Sequence, residues 1–235
     1  MLWRLIGMLK GDMSAMDMSG LMVEFAATAA VVLLCLPVHE CAHAWTAKKL
    51  GDDTAWMHGR LTLNPSKHLD LFGTLMILVV GFGYAKPVPV NPRNFKNGKY
   101  KRGMALTAAA GPLSNLILAV IFCLAAYLAA MAGRGGNDLA DLLEDFFFKV
   151  FGINVSLVIF NLIPFPPLDG SRILDLILPH KVSMFLSQYE NILRWAVFAL
   201  LIFSSPIGEL SRLASNGISR LVGLPFPFYL IFTKQ

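Results

Sequence analysis

Residues 21–50 read LMVEFAATAAVVLLCLPVHECAHAWTAKKL, and the class of fold turns on this stretch. No Asp, Glu, Lys or Arg occurs from Phe25 to Val38, and the apolar character runs from Leu21 to Ala47 before it ends at Lys48 and Lys49. A helix needs about 20 mostly apolar residues to cross a bilayer, and lysines at its end can carry their ammonium groups to the interface. The stretch therefore reads as a membrane span. It nevertheless contains His39, Glu40 and His43, and ionisable side chains at membrane depth are costly and seldom lack a partner or a task.

The rest of the chain agrees with a lipid setting. Of its 235 residues 56% are hydrophobic and 15% charged, against about 25% charged in a soluble domain. Further charge-free runs cover Leu71–Ala85, Gly103–Gly133, Val150–Leu168, Trp195–Gly208 and Leu221–Thr233. Met104–Ala132 and Phe146–Ile163 read as a second and a third span, the latter broken by Pro164, Pro166 and Pro167 because proline removes a helix donor and clashes with the preceding turn. Leu71–Ala85 is short and carries Gly73, Gly81 and Gly83, which predicts a re-entrant segment rather than a crossing. Before it, GRLTLNP at 59–65 alternates like a short strand. A last, short span is expected over Ile192–Phe203, an amphipathic return helix over 207–222 and an interfacial segment over the first twenty residues.

The expected fold is thus an all-α integral membrane protein. It has a three-span core over 21–180 with a re-entrant, β-like segment, an N-terminal interfacial segment over 1–20, and one or two further membrane or amphipathic helices over 181–235. No cleavable signal peptide is expected, because Arg4 and Lys10 interrupt the first apolar stretch. Cys35, Cys41 and Cys123 share no paired spacing, so they read as packing residues and not as a disulfide framework. The net charge of +5 lies mostly in short loops, which argues against a nucleic-acid partner and for membrane orientation. Residues 86–102 carry Lys86, Arg93, Lys96, Lys99, Lys101 and Arg102 and no acid, and this loop should face the cytoplasm.

His39-Glu40-Cys41-Ala42-His43 carries the chemistry. Histidines four apart on a helix share a face, so both imidazoles can reach one Zn²⁺ with Glu40 beside them as base for an activated water. The same residues also admit two buried histidines and a glutamate in a hydrogen-bond network. A catalytic zinc usually takes a third protein ligand; the acidic candidates are Asp70, Asp169, Asp175 and Glu24. Asp169 fits best. It stands in NLIPFPPLDG, residues 161–170, whose prolines force irregular backbone that membrane depth tolerates only against protein or a wet cavity. The competing reading makes Asp169 the cap of a following helix.

Taken together, HECAH in one span, AAGPLSN at 109–115 in the next and NLIPFPPLDG after the third resemble the site-2 protease family of intramembrane zinc metalloproteases. The resemblance covers roughly residues 21–180. It implies one zinc per chain on His39, His43 and Asp169, Glu40 as catalytic base, and a membrane-spanning protein as substrate. It implies that Asn161 holds substrate or its oxyanion, with Asn115 a weaker candidate. Many bacterial members add a PDZ domain and others a CBS pair; neither is expected here.

The nine residues from His39 to Lys48 put the site roughly 13 Å inside the Lys48 end of the helix, in the cytoplasmic half of a cell (inner) membrane. Two other classes fit the composition: a catalytically silent zinc-binding scaffold, which has no use for Glu40, and a small metal or proton transporter.

Overall fold

The structure, a computed structural model, describes residues 15–80, 83–98, 100–189, 192–193 and 214–218. Its first feature is one long rod. Helix α1 (Ala15–Ala30) runs through a π-helical turn, Val31–Cys35, into α2 (Leu36–Leu50). Pro37 stands at the start of α2 and has no N–H to give. The turn just before it, where Leu36 N–H bonds Val31 O, absorbs the proline without breaking the helix. The rod stops at Gly51, whose φ of 109° lies in the left-handed region that glycine fills without strain.

A connector follows with the short helix α3 (Thr54–Met57). Asp52 is fully buried here and is the connector's anchor. Its carboxylate accepts from Asn91 N (2.7 Å) and Asn94 Nδ2 (2.8 Å), tying the far end of the proline-rich loop to the end of α2. The strand expected over 59–65 does not form: the described residues contain only an isolated antiparallel bridge between Leu69 and Ala85. Local bonds win instead. Asn64 Oδ1 accepts from Ser66 N and starts the turn Pro65–Lys67, and Thr62 O bonds His68 Nε2 at 2.7 Å, so the alternating run is too short to pair.

Helix α4 (Leu71–Val80) has ten residues, about 15 Å of helix against a hydrocarbon core about 30 Å thick. The chain then comes back to its start. A Cβ on Gly73 would lie 2.1 Å from Tyr84 O, so only glycine permits the returning chain this close.

Helix α5 (Tyr100–Gly133) and α6 (Asp138–Leu162) form a long hairpin. Asn137 caps α6 with its side chain on Leu139 N and Ala140 N, and Asp138 and Asp141 suit the positive end of the helix dipole. The helix consequently begins eight residues before the apolar run at Phe146, which marked where lipid begins rather than where the helix does. Beyond the prolines come α7 (Asp169–Leu174) and α8 (His180–Gln188). Most of the expected last span, most of the return helix and most of the N-terminal segment lie outside the described residues; within them, 214–218 is helical.

Among the described residues two helices, Met18–Leu50 and Tyr100–Gly133, are long and apolar enough to cross a membrane. Their faces are sorted in the manner lipid favours. α5 buries Ala108, Gly111, Ala119, Cys123 and Ala126 and exposes Leu113, Ile117, Ile121 and Leu128. Small residues bring helix backbones together, while lipid solvates the large ones. The core forms where Val31, Val32 and Cys35 of the rod meet Val150, and where Ala119 and Cys123 meet Phe151 and Val155.

Candidate metal centre

His39 and His43 are four positions apart on α2, so their rings lie on one face, 4.6 Å apart between centroids and nearly perpendicular. Both are buried, at 5% and 7% exposure. What makes room for them is Gly111 on α5. A Cβ there would lie 2.4 Å from His43 Nε2 and 2.6 Å from His39 Cε1, closer than any side chain could sit. One turn earlier, Thr107 O lies 2.7 Å from His43 Nδ1. A carbonyl only accepts, so Nδ1 carries the proton and Nε2 presents its lone pair.

The third group arrives from α7. The prolines end α6 and turn the chain so that Leu168 takes the cap position and Asp169 opens the helix. No side chain caps that helix. Asp169 Oδ2 instead lies 3.3 Å from His39 Nε2 and 3.4 Å from His43 Nε2, while the two nitrogens are 3.0 Å apart. A tetrahedral ion with bonds of about 2.0–2.1 Å spaces its ligands about 3.3 Å apart, so these three atoms outline one face of such a site. The donor set, two imidazole nitrogens and a carboxylate oxygen, is one that zinc takes. The other acids stand elsewhere. Asp70 Oδ1 accepts from Gly73 N at the start of α4, Asp175 faces Arg172 at 3.9 Å, and Glu24 lies four helical turns before His39 on the same rod.

Glu40 is half-buried beside the histidines, and its charge acts on Arg60 of the connector. Cys41 contacts the Thr62 backbone, so the connector at 60–64 passes next to the site. Arg60 in turn donates to Lys86 O and Pro87 O, which ties that segment to the proline-rich loop. Asn161 sits in the last turn of α6, with Nδ2 donating to Leu157 O at 3.0 Å. Asn115 is fully buried, and among the described residues neither amide atom has a hydrogen-bond partner. Sequence reasoning passed over Gly111 and the Thr107 carbonyl. The available signal was a glycine next to proline inside an otherwise alanine-rich span.

Comparison with known proteins agrees with this arrangement. YwhC of Bacillus subtilis strain 168, provisionally named a zinc metalloprotease, is 47% identical over 182 residues, which is 76% of this chain and 80% of YwhC. Rip2 of Mycolicibacterium smegmatis, named in the same way, is 31% identical over 63% of this chain and 54% of its own length. MJ0611 of Methanocaldococcus jannaschii, again so named, is 27% identical over 58% of this chain and 62% of its own length. No solved structure matches. Peptidase family M50 matches residues 27–133 and 128–204, a region that takes in HECAH, AAGPLSN and NLIPFPPLDG. The site-2 protease resemblance is thereby borne out: the chain belongs to Peptidase family M50, and it is a membrane metalloprotease whose metal is zinc.

Proposed function

We propose that this enzyme hydrolyses peptide bonds of membrane-spanning proteins at a zinc held by His39, His43 and Asp169, with Glu40 as general base and acid. The observation that carries the reading is the convergence of His39 Nε2, His43 Nε2 and Asp169 Oδ2 to within 3.0–3.4 Å of one another, with a carboxylate next in sequence to the first of them. The chemistry a zinc ion supplies there is Lewis acidity, which polarises a carbonyl and makes water a stronger acid. Glu40 takes a proton from the attacking water as oxygen bonds to the scissile carbon. It returns that proton to the departing nitrogen as the C–N bond breaks. Asn161, beside the proline-broken end of α6, is the side chain suited to hold substrate or its oxyanion. Asn115 has no surface for substrate to reach.

A transmembrane helix hides its carbonyls in hydrogen bonds and must unwind before attack. Residues 60–64 and 86–92, tied together where Arg60 donates to Lys86 O and Pro87 O, are the backbone stretches that receive such an unwound segment in this reading. The proposed topology has α1–α2, α5 and α6 crossing the membrane and the 71–84 excursion re-entering on the side it left. The bridge between Leu69 and Ala85 supports this by bringing both ends of the excursion together. With the basic loop in the cytoplasm, the active site lies in the cytoplasmic half of the bilayer. A cysteine placed at Asn97 should be labelled by an impermeant reagent only after the cells are opened; labelling of intact cells would invert the topology.

The function is tested by incubating the purified protein with single-span substrates. Glutamine keeps the size of Glu40 but cannot accept the proton, so Glu40→Gln should retain zinc while cleavage falls by about 10² to 10⁴. Wild-type cleavage by zinc-loaded Glu40→Gln would remove Glu40 from the mechanism. Absence of cleavage by the wild type, with ion flux in liposomes, would replace the protease reading with a transporter.

A further inference from the structure

Where the basic loop ends and α5 begins, the surface turns from cationic to apolar within two helical turns. Tyr100, Lys101, Arg102 and Leu106 form one wall of a groove there; Ile173 of α7 and Leu176 of the turn after it form the other. The groove holds about 750 Å³ and its lining is almost wholly apolar, a size within the roughly 300–1,000 Å³ of small-molecule sites. Lys101 Nζ donates to Leu178 O at 2.8 Å, which ties the two walls together and uses one of its three hydrogens. Arg102 is exposed and has no partner among the described residues.

Nothing acidic answers these cations. No Asp or Glu occurs from Lys86 to Arg102, none lines the groove, and Asp175, next to Leu176, faces Arg172 at 3.9 Å. The lysines that end α2 are engaged by contrast: Lys48 lies 3.6 Å from the Trp56 ring and 3.7 Å from Asp53, and Lys49 lies 5.4 Å from the Trp45 ring. An apolar slot with free cationic hydrogens at one end matches a molecule with an acyl chain and an anionic head. We propose that the groove binds one anionic phospholipid, with its chain along Leu106, Ile173 and Leu176 and its phosphate on Arg102 and Lys101. Basic pockets between membrane helices take such head groups, and Tyr100, 49% exposed, is of the amphipathic type favoured at the interface. A zwitterionic lipid fits less well, because its ammonium finds no carboxylate in the groove. Ile173 stands four positions after Asp169, so the lipid packs against the helix that carries the third metal-site residue. The assignment rests on α5 crossing the membrane with Tyr100 at its surface.

Native mass spectrometry of the full-length chain, in micelles with equal amounts of phosphatidylglycerol and phosphatidylcholine, counts the lipid retained. The wild type should keep one phosphatidylglycerol in preference to phosphatidylcholine. Arg102→Gln should weaken that retention about 5-fold, the share of one basic residue at a membrane surface. Arg93→Gln removes the same charge from the same loop, but Arg93 does not line the groove, so retention should stay near wild type. Leu106→Trp fills the groove and should abolish retention, with circular dichroism reporting the fold; Leu176→Trp replaces it if it does not fold. Equal retention of both lipids by the wild type would overturn the proposal. Arg93→Gln losing as much as Arg102→Gln would do the same, as would a folded groove-filling variant that still holds phosphatidylglycerol. The topology fails separately: labelling of Asn97→Cys on intact cells would move the groove to the other leaflet and leave the lipid preference standing.

Discussion

Between Thr107 and Asn115, α5 lies against the imidazoles of α2; from Ala119 to Ala126 it lies against Phe151 and Val155 of α6. On both stretches the buried face is made of small residues. The second meets apolar partners, and among the described residues it leaves no buried side-chain polar atom of its own unsatisfied. The first gathers buried polar atoms, among them His39 Nδ1, Thr107 Oγ1 and both amide atoms of Asn115, that have no hydrogen-bond partner among the described residues. One helix therefore does two different jobs. Its far half holds the bundle together by close packing, and its near half tolerates a local penalty to keep lone pairs pointed at one place.

The contrast can be broken most severely at Gly111. Gly111→Ala puts a methyl where His43 Nε2 and His39 Cε1 now sit, so the rings must move. Displacements approaching 1 Å at a reacting centre can cost about 10² in rate, and we expect a loss of that order in cleavage together with weaker zinc binding. Phe151→Ala addresses the other half. Lipid already solvates the lost apolar surface, so the cost is mainly the cavity, and about 1–3 kcal/mol of stability in detergent is expected with no change in zinc affinity. If Phe151→Ala instead weakened zinc binding as Gly111→Ala does, the two halves would not be separable.

The smallest effect is expected outside the bundle, at Asp52. Burial alone would raise its pKa, but bonds from Thr54, Asn94 and the Asn91 N–H outweigh burial and hold it below the ordinary 3.8. Because the folded value lies below the unfolded one, the stabilisation is fully present above about pH 4. It is lost as the pH falls through the folded value. Asp52→Asn should cost about 1 kcal/mol at neutral pH and flatten this acid dependence. Proteolytic nicking of 85–95 measured against pH reads both effects, and a loop equally protected in the variant at pH 7 would deny the anchoring role.

Much of this arrangement was legible in the sequence, and the parts that were not share a physical cause. The charge-free runs located the rod and α5, because membrane depth leaves an unambiguous compositional mark. HECAH and LDG announced ligand chemistry through residues that lipid excludes unless they are used. The strand at 59–65 was misread because alternation cannot reveal that Asn64 and Pro65 begin a turn. The start of α6 was missed because a capped polar first turn lies outside the apolar run. Gly111 was passed over because a glycine's role in a span depends on what approaches it from another helix, 72 residues from His39 and 68 from His43 in sequence.

X-ray absorption at the zinc edge tests the ligand set most directly. The wild type should show about one zinc per chain with nitrogen and oxygen scatterers at about 2.0–2.1 Å, the outer-shell pattern of two imidazoles and no sulfur at about 2.3 Å. Cys41→Ser should leave the spectrum unchanged, and Asp169→Ala should alter the first shell and release the metal more readily. A sulfur shell in the wild type, or a first shell that is the same with and without the Asp169 carboxylate, would contradict a zinc held by His39, His43 and Asp169.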